Sequence, residues 1–171
     1  MAAKTSARRG ASAAAAAPKL MLWLKNEAGR RGVPVSRTFE RWLAAIPELR
    51  KRRQWTELNI LIVGSAAGHR YNREFRGRDY ATNVLSFPYE AAPGEHPGLL
   101  GDLVICAPVV LREAREQGKP GRDHFAHLTI HGVLHLLGYD HETDADAERM
   151  EALERAVLTS LGIADPYAER A

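Results

Sequence analysis

The stretch that decides the fold is HGVLHLLGYDH, residues 131–141, in which three histidines are spaced by a helical step and a glycine. His131 and His135 are four residues apart, so on a helix their imidazoles lie on one face, one turn apart. Gly138 can adopt a left-handed conformation that ends the helix, after which the returning chain can bring His141 to the same point. Three nitrogens around a tetrahedral ion leave one position for water, as in catalytic zinc sites. The sequence therefore predicts one Zn²⁺ ion bound by His131, His135 and His141, although nickel, copper or iron would also suit nitrogen ligands.

A fourth histidine, His127, extends the same helical stripe by one turn. Two successive steps of four residues span about 12 Å of helix axis, which is too far for His127, His131 and His135 to reach one ion. We therefore expect His127 to support the ligands or to line the substrate groove. An ordinary surface histidine is the alternative.

The spacing also matches the long zinc-protease signature H-E-x-x-H-x-x-G-x-x-H except at one position, where Gly132 replaces the glutamate. In those proteases the glutamate moves a proton from the metal-bound water to the leaving amine. Hydrolysis of a phosphodiester has a different requirement, because cationic groups can stabilise the negative charge that develops on the phosphoryl oxygens. The segment therefore favours phosphodiester hydrolysis over proteolysis.

The hydrophobic and turn patterns of the rest of the chain predict an α+β domain with a small mixed sheet packed against several helices. Apolar and β-branched runs predict four strands, at Lys19–Leu24, Leu58–Val63, Asn83–Phe87 and Leu103–Ile105. Helical spacing and capping residues predict five helical segments. The first is capped by Ser36 and has Phe39, Trp42, Leu43 and Ile46 on one face, the second is a short helix or turn at Asn72–Arg76 broken by Gly77, and the third and fourth run from Pro108 to Gly118 and from Arg122 to Leu137. The last helix follows a Thr143/Asp144 cap, buries Met150, Leu153, Val157 and Leu161, and ends at Gly162. Ala91–Gly98 is predicted to be a loop.

The N-terminal segment predicts where the domain begins, and the composition indicates the cellular compartment. Residues 1–18 are rich in alanine, serine and arginine and predict a disordered tail, which leaves residues 19–171 as one domain. An organelle transit peptide is the alternative reading of that tail. With one cysteine, Cys106, and no apolar run of membrane length, a cytoplasmic protein without membrane contact is expected. Cys106 lies in an apolar strand and is expected to be buried and unreactive.

The formal charge of +3 says little about partners, since without Lys4, Arg8 and Arg9 of the tail the basic and acidic residues balance. Their distribution is more informative. Bases dominate from Arg50 to Arg78 and acids from Asp140 to Glu154. A basic face of this kind can hold a phosphate backbone, although a solvated surface is the simpler reading of charge alone.

Three ordered motifs resemble the YbeY family of rRNA-processing endoribonucleases: HGVLHLLGYDH at 131–141, NREFRGRD at 72–79 with TNVLSFP at 82–88, and LGDLVI at 100–105. Tyr71 departs mildly from the family pattern, where leucine is more common. The resemblance implies a zincin-like domain acting as a single-strand-specific endoribonuclease. It implies maturation of the 3′ end of small-subunit rRNA, ribosome quality control, and contact with the small ribosomal subunit and assembly factors. It places zinc on the three histidines and singles out Arg76, whose planar guanidinium can pair bidentately with phosphate.

Two other functions remain open from the residues. A peptidase would need a different general base, for which Asp140 is a candidate, and a ribosome-assembly factor would use zinc only for stability. Asp102 and Asp140 are expected to be structural, and the alternative for each is a proton carrier or a partner of the histidines. Ser86 has no identifiable base beside it and is expected to be part of a strand lining the cleft. The oligomeric state is left open.

Overall fold

The computed structural model of the protein describes residues 20–52, 55–95 and 98–168. Along the chain its elements are β1 (Leu20–Asn26), α1 (Ser36–Ala44), α2 (Pro47–Arg50), β2 (Thr56–Val63), α3 (Ser65–Arg76), β3 (Val84–Pro88), β4 (Leu99–Cys106), α4 (Ala107–Glu116), α5 (Gly121–Leu136) and α6 (Asp144–Ser160). The predicted tail, residues 1–18, lies outside the described residues. No helix within the described ranges is long and apolar enough to cross a membrane.

The strands form one mixed sheet in the order β1-β2-β4-β3. β1, β2 and β4 run parallel, and β3 runs antiparallel to β4. Side chains alternate between the faces of a strand, so Leu58, Ile60 and Ile62 of β2 all enter the same core. The predicted α+β domain with a small mixed sheet is confirmed.

α5 is the central helix of the larger core and positions the site. It contacts β3, β4, α1, α4 and α6, and Phe125, Ile130 and Leu134 on it are fully buried. A helix with neighbours on several sides must be apolar on more than one face, which explains the length of its apolar sequence. Its C-terminal turns carry the paired histidines, which line an open cavity.

Several predicted boundaries were wrong at the start of elements. Ser36 is the first residue of α1 and not its N-cap, which is Val35, and the Ser36 hydroxyl donates to Glu40 instead. α2 was not predicted. The segment expected at Asn72–Arg76 is the end of a helix that begins at Ser65.

Close packing accounts for the glycine inside that longer helix. A Cβ at Gly68 would lie 2.8 Å from the Sγ of Cys106. The glycine thus permits α3 to approach the end of β4, and Cys106 is buried there as predicted. Gly77 ends α3 in the left-handed conformation, with φ of 65°.

The remaining differences are small. β4 begins at Leu99 rather than Leu103, and Pro88 is the last residue of β3. The Thr143 cap is confirmed, since its hydroxyl accepts the backbone N–H of Asp146. On α6, Leu153 and Leu161 are half-buried rather than buried.

Candidate metal centre

The fold brings the three predicted ligands together at the C-terminal end of α5. Gly138 has a φ of 95°, and the Tyr139 N–H donates to the Leu134 carbonyl at 3.0 Å, which turns the chain back. The ring centres of His131 and His135 are 4.6 Å apart, those of His135 and His141 5.0 Å, and those of His131 and His141 6.0 Å. The local turn predicted from Gly138 therefore delivers His141 to the helical pair.

The facing nitrogens have the separation that a shared ion requires. The Nε2 atoms of His131 and His135 lie 3.1 Å apart, and two nitrogens on one tetrahedral zinc ion are about 3.3 Å apart. Burial, followed by the neighbouring His131 and His141, lowers the pKa of His135. A neutral imidazole offers the lone pair that a metal takes. The facing nitrogens of His131 and His135 thus fit one shared metal ion.

A buried carboxylate orients His131 from behind. Glu154 of α6 is fully buried, and its Oε1 accepts the Nδ1–H of His131 at 2.5 Å. This bond places the proton on Nδ1 and leaves the Nε2 lone pair facing His135. Carboxylates hold metal-binding histidines in this manner and raise their basicity.

Glu154 is itself held by two other residues. It accepts a hydrogen bond from the Tyr167 hydroxyl, and its Oε2 lies 3.4 Å from the Nε2 of His127. Burial alone would raise the pKa of Glu154, but the bonds from His127, His131 and Tyr167 outweigh burial and lower that pKa to about 2. Burial and Glu154 together raise the pKa of Tyr167. The carboxylate is therefore ionised and fixed.

The sequence analysis missed Glu154, although a signal was present. It stands four residues after Met150 and three before Val157, on the buried stripe of α6. A charged residue on a buried helical face is unusual unless it is paired. That pattern alone marks a buried partner for a base or a histidine.

His127 lies on the far side of His131, against Glu154 and Tyr167. Ligand atoms of His127, His131 and Glu154 come within 4.8 Å of one another, as do those of His135, Asp140 and His141. In the first of these groups, His131 and His127 both lie against the Glu154 carboxylate, and the Nδ1 of His127 is buried with no hydrogen-bond partner among the described residues. These contacts agree with a supporting role for His127, and the walls of the histidine cavity do not include it.

Arg76 faces the histidines across a cavity of about 510 Å³. Its Nη2 donates to the Ser86 carbonyl at 3.0 Å, and its guanidinium carbon lies 5.4 Å from the centre of the Phe87 ring. Both contacts fix the guanidinium at the exposed edge of β3. Arg78 also lines this cavity, so one wall is cationic and the other carries the imidazoles.

Close packing excludes a glutamate at Gly132. A Cβ there would lie 2.8 Å from Cδ2 of the fully buried Leu103 and 3.3 Å from the Ser86 Oγ. The Ser86 hydroxyl donates to the Gly132 carbonyl at 3.3 Å, so strand and helix touch at this point. The glycine is therefore demanded by packing, and Ser86 has a structural contact within the cleft wall.

The two candidate aspartates lie in different places. Asp140 is half-exposed beside His141, and its Oδ1 accepts the backbone N–H of that histidine at 2.7 Å. Asp102 points to the other side of the sheet, where Asn59 donates to it at 2.7 Å. Asp102 is thus structural, as expected, and it does not reach the histidines, because alternation along β4 directs it away from α5.

Comparisons with known proteins agree on one family. The model of the family described as Endoribonuclease YbeY matches residues 24–162. A protein named Endoribonuclease YbeY from Alkalilimnicola ehrlichii is 58% identical, over 82% of this chain and 86% of its own length. One of the same name from Stenotrophomonas maltophilia is 57% identical, over 81% and 88%. The solution structure of TM1509 from Thermotoga maritima matches 87% of this chain and all of its own, with a TM-score of 0.54 at 23% identity, and shows the shared fold.

Proposed function

The chain belongs to the YbeY family of endoribonucleases, and we propose that it is a zinc-dependent enzyme that cleaves single-stranded RNA during maturation of the 3′ end of 16S-type rRNA and in ribosome quality control. The observation that supports this proposal most is the shared cavity of Arg76 with His131, His135 and His141. It sets a metal-binding donor set opposite a cation suited to phosphate.

Different residues of the chain would bind the metal ion and neutralise the phosphate. His131, His135 and His141 would hold the ion, with Glu154 fixing the ring of His131. Bound zinc would supply Lewis acidity and a water of lowered pKa. Arg76 can donate two parallel N–H bonds to phosphate oxygens and stays charged throughout the working pH range. Because Ser86 and Phe87 already hold Arg76, little rotamer freedom is lost when phosphate binds.

The surroundings of the cavity favour an unpaired strand. Tyr80, which is 52% exposed, and Arg78 stand at the rim, and the Arg78 guanidinium donates to the Tyr80 hydroxyl at 2.9 Å. Aromatic side chains stack on bases that are free of a helix, whereas the bases of a duplex are already stacked on one another. This arrangement supports single-strand specificity.

The proposed function also implies a cellular location and partners for the enzyme. The natural place of such an enzyme is the cytoplasm, with the small ribosomal subunit and its assembly factors as partners. The buried thiol of Cys106, whose pKa is raised by burial, suits a reducing compartment.

The test is cleavage of a labelled single-stranded RNA, with a duplex of the same sequence beside it. Arg76→Lys keeps the charge and loses the planar fork, so kcat/KM is expected to fall by about 100-fold. The matched control is Arg73→Lys, which is on the same helix, is exposed and does not line the histidine cavity, and it should cleave at the wild-type rate. Equal cleavage by wild type and Arg76→Lys, or cleavage that survives complete chelation, would contradict the proposal.

A further inference from the structure

The chain turns back after α6 and packs along that helix. Gly162 has a φ of 72°, and the Ile163 N–H donates to the Leu158 carbonyl at 2.9 Å, which is the reversal that a left-handed glycine permits. Ile163 is 8% exposed and joins the larger core. Residues 163–168, which we call the C-terminal segment, therefore stay against the domain after the helix has ended.

Two residues fix Tyr167 within this segment. The Asp165 Oδ1 accepts the backbone N–H of Tyr167 at 2.8 Å, and the Asp165 Oδ2 lies 3.3 Å from the Nε of Arg155 on α6. The guanidinium carbon of Arg155 lies 5.0 Å from the centre of the Tyr167 ring. These contacts restrict both the backbone and the ring of Tyr167, so its hydroxyl has a set position beside Glu154.

The Tyr167 hydroxyl completes the hydrogen bonding of the buried Glu154 carboxylate. One carboxylate oxygen, Oε1, accepts the Nδ1–H of His131. The other, Oε2, accepts the hydroxyl proton of Tyr167. The Nε2 of His127 is more distant, at 3.4 Å from Oε2, and it lies 3.3 Å from the Tyr167 oxygen. The short bond at Oε2 is therefore the one from Tyr167.

A second bond at Oε2 determines the plane of the carboxylate. The terminal torsion of a glutamate side chain is broad, so a bond at Oε1 alone does not fix the orientation of the group. With both oxygens bonded, Oε1 stays on the Nδ1 of His131, and the Nε2 of His131 faces that of His135 at 3.1 Å. A line of hydrogen bonds thus runs from the C-terminal segment through Glu154 to a predicted metal ligand.

Tyr167 acts on the site from behind. It is not among the residues that line the histidine cavity, so a substrate in that cavity would not touch it. Its proton is given to Glu154 and points away from the cavity. Any effect of Tyr167 on the metal therefore passes through the Glu154 carboxylate.

We propose that Tyr167 is a positioning residue of the metal centre, whose hydroxyl fixes Glu154 so that His131 presents its Nε2 to the ion. The inference rests on the zinc site of the proposed function. It makes the C-terminal segment a part of that site, required for full zinc affinity.

The first measurement is zinc affinity by competition against a chromogenic chelator, in the full chain. Tyr167→Phe removes one hydroxyl and keeps the ring on Arg155, and the dissociation constant for zinc is expected to rise about 10-fold, the lower end of the range for groups behind a metal ligand. Tyr89→Phe is the matched control, because Tyr89 is 45% exposed and lies outside the histidine cavity, and its zinc affinity should equal that of wild type. Thermal melts establish a temperature at which every variant is folded.

A double-mutant cycle separates positioning from a general loss of stability. If Tyr167 acts through Glu154, adding Tyr167→Phe to Glu154→Gln should change zinc affinity by less than about 2-fold. A residue that only stabilised the fold would weaken zinc binding equally in both backgrounds.

A second readout needs neither metal nor RNA. In metal-free protein with ¹⁵N-labelled histidine, the proton on His131 Nδ1 is identified by its loss in His131→Ala. This proton should exchange with water faster in Tyr167→Phe than in wild type, because the carboxylate that accepts it is less well held.

Unchanged or tighter zinc binding in Tyr167→Phe overturns the inference, and so does a full 10-fold loss, roughly, on top of Glu154→Gln. Wild-type protein that binds no zinc overturns both this inference and the zinc site on which it rests. Zinc affinities that follow the prediction in a protein that never cuts RNA would leave Tyr167 assigned and the endoribonuclease proposal refuted.

Discussion

The central helix carries two histidine–carboxylate pairs that look alike and differ in what the second ring nitrogen faces. Near its start, His124 Nε2 bonds to Glu113 at 2.7 Å, and His124 is only 3% exposed. Near its end, His131 Nδ1 bonds to Glu154 at 2.5 Å, and its Nε2 faces His135 in the cavity. The free nitrogen of His124, Nδ1, is buried with no hydrogen-bond partner among the described residues. A carboxylate behind an imidazole is therefore common to both ends, and the end at His131 adds His135 and His141 as further donors around a cavity.

Replacing His131 and His124 by alanine should give the largest difference in effect between the two ends of α5. We expect His131→Ala to lose RNA cleavage by more than about 1,000-fold, because a metal ligand is gone. His124→Ala should keep cleavage per folded molecule and lower the free energy of unfolding by about 1–3 kcal/mol, since Glu113 loses its partner. Cleavage rates and urea unfolding of both variants measure this contrast. Folded His124→Ala protein without activity would break the comparison.

Neutralising each carboxylate should give a smaller contrast of the same kind. Glu154→Gln keeps the shape and removes the charge behind His131, so we expect zinc affinity to fall by 10- to 100-fold, roughly. Glu113→Gln should leave zinc affinity unchanged. Competition against a chromogenic chelator measures both, at a temperature where melts show each variant folded. Equal zinc affinities in the two variants would show that the Glu154 contact does not support the metal.

The smallest expected effect is a loss of stability at acidic pH, caused by the Glu113–His124 pair near the start of α5. Burial alone would raise the pKa of Glu113, but hydrogen bonds from His124 and Asn83 outweigh it, and the pKa is lowered from 4.5. A carboxyl group with a lowered folded pKa adds stability above its unfolded pKa and loses it as the pH falls through the folded value. Below about pH 4.5, the unfolding free energy of wild type should therefore fall more than that of Glu113→Gln, by about 1 kcal/mol. Urea titrations from neutral to acid pH test this, and parallel pH profiles would contradict it.

Local spacing predicted the features that depend on a few neighbouring residues. The pairing of His131 with His135, the turn at Gly138 and the Thr143 cap each follow from the residues within one helical turn. The four strands and the helices α1, α4, α5 and α6 were also predicted, because their apolar patterns reflect the faces that they bury.

Features that depend on contacts distant in the sequence were not predicted. Glu154 orients His131 across 23 positions, and no spacing rule reports such a contact. The alternative role of Asp102 beside the histidines stayed open because the sequence does not show which sheet face it occupies. The start of α3 was missed, and the packing of its Gly68 against Cys106 is brought about only by the fold.

The most direct test of the account is the coordination of bound zinc, measured by metal content and X-ray absorption in wild type, His135→Ala and His127→Ala. We predict one ion per chain, three imidazole nitrogens at about 2.0–2.1 Å, loss of the ion in His135→Ala and its retention in His127→Ala. An ion that stays in His135→Ala and is lost in His127→Ala would place the metal among His127, His131 and Glu154, and would contradict the account.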